Sequence, residues 1–230
     1  WGEFLGRGPA RTPGHGVFYD MKEVFPGHYL SIQGKQIRDN INWQLQAKPH
    51  EDTYSDTVQI VAALVEDSVE RQMISDVPIC TFLSGGLDSS LVSAICARKL
   101  AKEGKQLHTF SFDFVDNDKN FQANSFQSSL DRPFVELMVK HIGSQHTYLE
   151  CTNQKQADYL YKAVDARDLP CMADVESSLL YFCSQVAQHN RVALTGECAD
   201  EIFGGYPWFH QPAALQRHHF PWSYQMDART

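Results

Sequence analysis

From residue 55 onward the apolar positions of the chain fall into alternating blocks of two periods. Val61, Leu64, Val65, Val69 and Met73 recur at three- and four-residue steps, one face of an amphipathic helix that Asp76 and Pro78 bring to an end. Residues 77–83, VPICTFL, form a largely apolar run with β-branched members, the pattern of a strand covered on both faces. Helical spacing resumes over 89–101 through Leu91, Ala94, Ile95 and Leu100. The succession then continues with a strand at 107–114, a helix at 132–142, a short strand at 146–150, helices at 156–166 and 179–188, and a strand at 191–194. Such alternation predicts an α/β fold, a doubly wound and mainly parallel sheet with helices on both faces, whose ligands bind beyond the carboxyl ends of the strands. Residues 116–129 carry too many amides and charges for a core and read as a polar surface loop.

Before residue 55 the texture differs. Residues 16–43 read as short strands broken by Pro26-Gly27 and Gly34, a β-meander of about hairpin size, too small to hold itself together. The polar stretch 44–57, with Pro49 and His50, reads as a linker. The expected organisation is therefore a meander within 1–43, a linker at 44–57 and an α/β domain over 58–230. The sequence opens at Trp1 on turn-like chemistry, as a piece of a larger protein would.

Composition narrows the function classes. With 43% hydrophobic and 21% charged residues, the chain is neither disordered nor collagenous. Twenty Lys+Arg against 28 Asp+Glu leave a net charge of −8 without a basic stripe, so nucleic acid is not an expected partner. The longest apolar runs are too short to span a bilayer and no basic-then-apolar leader opens the chain, so a cytoplasmic, membrane-free protein is expected. Six cysteines form no CxxC pair, and Cys80, Cys96 and Cys183 lie in apolar periodic segments, where reduced packing thiols are expected.

Two strand ends carry the candidate chemistry. Ser84-Gly85-Gly86-Leu87-Asp88-Ser89-Ser90 lies between a buried strand and its helix. Adjacent glycines let backbone approach an anion closely, the first N–H groups of the following helix point at it, and the serine hydroxyls add donors. The loop has no lysine, which excludes the P-loop of kinase-like NTPases. Asp88 would repel a phosphate held there unless a cation lay between them, which makes it a candidate Mg²⁺ ligand. The plain alternative is a helix cap at Ser84 and an ordinary glycine turn. The second strand end is 195–206, TGECADEIFGGY, where Glu197, Asp200 and Glu201 place three carboxylates within five residues. Their repulsion is offset by a divalent cation or a basic group, or else they serve a first helical turn that Gly204-Gly205 terminates. Cys198, without a His or Asn companion, reads as a small packing residue.

The first loop resembles the pyrophosphate loop of the N-type ATP pyrophosphatases. With 195–206 beside it, the chain resembles the synthetase domain of the glutamine-hydrolysing asparagine synthetases. The resemblance implies an adenine nucleotide α-hydrolase-like sheet, with residues 1–43 as the last strands of a truncated glutaminase domain and 58–230 as a synthetase domain incomplete at its C-terminus. It implies that ATP is split between its α and β phosphates with Mg²⁺, that a carboxylate such as aspartate is adenylated, and that ammonia from glutamine displaces AMP. Carried over, Ser84, Gly85, Gly86, Asp88 and Ser89 hold pyrophosphate; Leu83, Phe112, Thr195 and Gly196 contact the nucleotide. Glu197 serves acyl-adenylate formation and the ammonia step, and Asp88 and Asp200 face the metal. The family's glutaminase needs an N-terminal cysteine where Trp1 stands, so ammonia is expected to come from elsewhere. The stretch 170–179, where some members present an arginine to aspartate, carries only Asp174 and Glu176 as charges. Small molecules are the expected partners, with a homodimer as the candidate assembly. A ligase for another carboxylate, of β-lactam synthetase type, and a nucleotide-binding module without turnover are the alternatives.

Overall fold

The computed structural model describes residues 12–123, 129–170 and 172–216. The parts of the two expected domains at 1–11, 124–128, 171 and 217–230 lie outside them. The chain divides into two units between Thr57 and Val58.

In the first unit, β1 (His28–Gln33) and β2 (Gln36–Ile41) pair antiparallel from His28↔Ile41 to Gln33↔Gln36. The two-residue connection opens on Gly34 at φ +60°, a conformation that glycine adopts without a Cβ penalty. His28 Nδ1 and Asp39 Oδ1 lie 2.7 Å apart across the pair. Ile32, Ile37 and Ile41 stay exposed.

The first long helix, α1 (Tyr54–Gln72), starts inside the stretch expected to be linker. Thr53 caps it: its Oγ1 accepts from the Asp56 amide at 3.2 Å and donates to the Asp56 carboxylate at 2.7 Å. Beyond it run β3 (Ile79–Phe82), α2 (Leu87–Lys102), β4 (His108–Phe114), the single turn α3 (Asn117–Asn120), α4 (Arg132–Ile142), β5 (Gln145–Cys151), α5 (Asn153–Arg167), α6 (Ala173–Val186), β6 (Val192–Leu194), α7 (Ala199–Phe203) and α8 (Pro212–Leu215). The four strands β3 to β6 form one parallel sheet in the order β5-β4-β3-β6.

Alternation along β3 builds a core on each face. Ile79 packs with Val69 of α1, Ile95, Cys96 and Ala97 of α2, and Leu107; Cys80 packs with Phe110 of β4 and with Phe182 and Val186 of α6. Phe110 is fully buried, which stabilises the fold by about 1.5–3 kcal/mol. Of the face expected on α1, Val69 is buried and Val65 and Met73 pack against the core, but Leu64 is 63% exposed and Val61 37%. Only the C-terminal half of the helix reaches the sheet. Thr81 and Thr109 are also fully buried; their hydroxyls lie 2.8 Å from Ser93 Oγ and 2.9 Å from Ser144 Oγ, so neither is left unpaired. Two further expectations change. The stretch read as a surface loop contains α3, and α6 opens at Ala173, six residues before its expected start.

Cys80 and Cys96 are buried, and burial raises their thiols to about 11 and about 12. Cys183 is instead exposed, beside the buried Phe182 on α6.

At the amino ends of β4 and β5 stand His108 and His146, on opposite faces of the sheet, with the His189 ring 5.9 Å from that of His108. His108 Nε2 is 2.9 Å from Thr147 Oγ1, and His146 Nδ1 is 2.8 Å from Thr109 Oγ1, while His146 Nε2 is buried with no hydrogen-bond partner. Burial, reinforced by His189 for His108 and by His108 for His146, lowers both pKa values below the ordinary 6.5. The unfolded chain therefore takes up protons that the fold refuses, so stability is complete above about pH 6.5 and falls as pH drops below it. Thermal melts from pH 7.5 to 5.5 should show this loss, with a shallower slope in His108→Gln/His146→Asn. Equal slopes would place the acid sensitivity elsewhere.

Candidate functional site

The sheet order sets the site. The chain leaves β3 for β4 and β5 on one side and returns to β6 on the other, so β3 and β6 flank a switch point with a crevice at their carboxyl ends. The first loop leaves β3 and the second leaves β6. Between them, bounded also by β4, β5, α4 and α6, lies a cavity of about 670 Å³.

The two loops touch through backbone. A Cβ built on Gly196 would stand 2.8 Å from the Ser89 amide nitrogen and 2.9 Å from Asp88 Cβ, closer than side chains tolerate. Glycine at 196 thus lets the second loop close onto the first turn of α2. The two glycines of the first loop differ in role. Gly85 has φ +80°, and its missing Cβ would meet the Asp131 carbonyl oxygen and Phe134 Cβ at 2.9 Å; it does not line the cavity but seats the loop against the start of α4. Gly86 is the N-cap of α2 with ordinary dihedrals, lines the cavity, and would bring an added Cβ only to 3.4 Å from Ser84 Oγ.

The serines brace the loop. Ser89 is buried; its Oγ accepts from the Ser84 amide at 3.2 Å, lies 2.9 Å from Ser84 Oγ, and donates to the Gly86 carbonyl at 3.3 Å. Ser84 does not cap the first turn of α2: its Oγ accepts from the amide of the N-cap residue Gly86 itself at 3.3 Å, and no side chain caps the helix. Leu83 is buried, its amide donating to Phe110 and its carbonyl accepting from Ser111 Oγ.

The second loop turns at Cys198, which has φ 70° and is exposed at the cavity wall, not packed as expected. The Glu197 amide donates to Thr195 Oγ1 at 3.3 Å. Asp200 and Glu201 stand in the first turn of α7, which Gly204 ends at φ 66°. Gly205 has a different duty: an added Cβ would fall 1.8 Å from Asp200 Oδ1, so that carboxylate occupies the space glycine leaves open. Tyr206 donates to Glu201 at 2.6 Å, and that bond, then burial and the nearby acids, pushes its phenol up to about 12.

Leu83, Ser84, Gly86, Asp88, Ser89, Phe112, Thr195, Gly196, Glu197 and Asp200 all line the cavity; of the expected residues only Gly85 does not. Beyond Phe112, several walls had no sequence signal. Phe82, Phe110, Phe114 and Phe182 join Phe112 in an aromatic side, with Phe182 centroids 4.8 Å from Phe82 and 5.0 Å from Phe112. Asp113 Oδ1 accepts from Asn117 Nδ2 at 2.8 Å, which turns α3 toward the site. Arg132 and Tyr148 complete the opposite wall. Burial, then Glu136, raises the Tyr148 phenol.

Charge is uneven. Among the described lining residues, Asp88, Asp113, Asp131, Glu197, Asp200 and Glu201 are acidic and Arg132 alone is basic. No three His, Cys, Asp or Glu side chains among the described residues are gathered closely enough to hold a metal. A cation here would take protein oxygens from one or two carboxylates and the rest from a ligand, as Mg²⁺ does with phosphates. No helix among the described residues is long and apolar enough to cross a membrane.

The asparagine synthase family model matches residues 61–229. Asparagine synthetase [glutamine-hydrolyzing] 3 of Bacillus subtilis is 47% identical over 99% of this chain and 37% of its own length. Asparagine synthetase B [glutamine-hydrolyzing] of Escherichia coli is 30% identical over 86% of the chain and 36% of its own length. The chain therefore spans about a third of the length of these curated relatives. One solved structure, titled as a predicted subunit of tRNA methyltransferase from Methanocaldococcus jannaschii, shares 16% identity at TM-score 0.33 over 66% of this chain and 64% of its own, too distant to assign anything. The family model covers most of the chain, including both loops that meet at Gly196, and the chain belongs to the asparagine synthase family.

Proposed function

We propose that this chain carries the ATP-dependent half of an amide-forming ligase that converts aspartate to asparagine. The observation behind the reading is the contact at Gly196, which brings an anion-binding loop and an acidic loop to one cavity. Gly86 and the first-turn amides of α2, which no side chain caps, receive the phosphates. The aromatic side receives the adenine, with Phe112 and Thr195 beside the nucleotide. A carboxylate oxygen of aspartate attacks the α-phosphorus, the bond to the β-phosphate oxygen breaks, and pyrophosphate leaves. Ammonia released from glutamine then attacks the acyl carbon, AMP departs with the bonding pair, and the nitrogen loses a proton to Glu197. Asp88 and Asp200 suit Mg²⁺, since both present hard oxygen donors at the cavity and the phosphates supply the others. When bound, Mg²⁺ would offset the negative charge of the phosphates and of these acids.

The reading is tested by pyrophosphate exchange into ATP on the full-length protein with a panel of carboxylates. Aspartate should support exchange above the others, and exchange equal with and without any carboxylate would sink the ligase reading. Glu197→Gln should leave ATP affinity within a few-fold while lowering ammonia-dependent amide formation by about two to four powers of ten. Unaltered amide formation would remove Glu197 from the chemistry.

Gly85 and Gly86 should separate fold from binding. Gly85→Ala forces a side chain into a left-handed conformation and against α4, so its melting temperature should fall by about 2–4 °C or more. Gly86→Ala should melt with the native protein yet bind Mg-ATP more weakly, because its methyl group enters the phosphate side of the cavity. Calorimetry beside thermal melts reads both, and the reverse pattern would refute the division.

A further inference from the structure

We propose that Arg132 is the oxyanion clamp of the cavity, seating the distal phosphates of ATP and the pyrophosphate formed from them; this rests on the ligase reading. An anion entering this cavity meets six carboxylates, and Arg132 supplies the one positive side chain among the described lining residues. A guanidinium offers a planar fork of donors that pairs two oxygens at once, the geometry that phosphates present.

Arg132 is the first residue of α4, and the Asp131 carbonyl and Val135 amide of that same turn abut Gly85. The element that props the phosphate loop therefore also carries the guanidinium. Its central carbon lies 4.7 Å from the centroid of the Tyr148 ring, a cation–π stack that limits how the group can turn. Tyr148 is itself fixed: it pairs in register with Ser111, whose hydroxyl donates to the Leu83 carbonyl just ahead of the loop, and its own hydroxyl donates to the Arg132 carbonyl at 3.4 Å.

The neighbouring acids guide Arg132 without saturating it. Nε lies 3.5 Å from Glu136 and NH1 4.0 Å from Glu150, both longer than the roughly 2.7–2.9 Å of a committed charge-assisted bond, and all three side chains are about half exposed. Pairs of this kind add little to stability, which leaves a binding role to account for an arginine stacked at the cavity wall.

Calorimetry on the full-length protein with Mg-ATP, inorganic pyrophosphate and AMP as probes tests the clamp. Arg132→Gln should weaken ATP and pyrophosphate by about 10- to 100-fold while AMP stays within about twofold, and Arg132→Lys should fall between, keeping charge but losing the fork. Melting temperatures should match the native protein; if the Gln variant folds poorly, the Lys variant gives the same ordering of probes. ATP and pyrophosphate affinities unchanged in both variants would overturn the clamp, as would an equal loss for AMP. An increased KM for aspartate in the exchange assay with ATP affinity intact would move the guanidinium to the acceptor carboxylate and likewise overturn it. Pyrophosphate binding that depends on Arg132 in a protein without carboxylate-dependent exchange would overturn the ligase reading and leave the clamp standing. A native protein that binds neither probe would overturn both.

Discussion

A backbone contact organises this site: the Gly196 turn lies against the peptide joining Asp88 to Ser89, with no room for a single methyl group between them. Parallel strands β3 and β6 deliver two loops to neighbouring positions, but adjacency in a sheet leaves them a strand spacing of roughly 4.8 Å apart. Closing that gap needs a residue without a side chain on one partner. The result joins the positive end of α2 to a cluster of acids, two groups of opposite preference held around one cavity. Everything else in the wall, including the aromatic side, is arranged about that seam.

The cavity's electrostatics explain why its acids are tied down. Asp200 rests in the space that Gly205 leaves open, Glu201 accepts from Tyr206, and Asp113 accepts from Asn117 and the Phe114 amide. Each fixed carboxylate loses freedom to turn away from its neighbours, so the negative charge stays gathered at the cavity. A site held in this state responds strongly to what enters it, because little reorganisation is needed.

Much of the fold was legible because periodicity and burial agree wherever a strand is covered on both faces. Residues 77–83 and 107–114 read as strands for the reason they are buried: Ile79 and Cys80 serve opposite cores. The start of α6 was not legible, since Ser177 and Ser178 are buried yet polar in the sequence. Their hydroxyls return to the Ala173 and Val175 carbonyls one turn back, which satisfies them locally and hides a core turn behind hydrophilic letters. The two loops of the site stood out as glycine and acid clusters at strand ends. Arg132, Tyr148 and Phe182 did not, because a helix start, a strand and a core helix position look the same whether or not a cavity opens beside them.

The hydroxyl pair of Thr81 and Ser93 constrains how this sequence can drift. Both groups sit in a dry interior and satisfy one another at 2.8 Å. Replacing either alone with an apolar residue strands its partner, at about 1–3 kcal/mol, whereas replacing both with groups of matched shape can be nearly neutral. Two such states are separated by a less stable intermediate, so residues 81 and 93 are epistatic: lineages should keep both hydroxyls or lose both, and a chimaera joining a strand from one lineage to a helix from the other would inherit the mismatch.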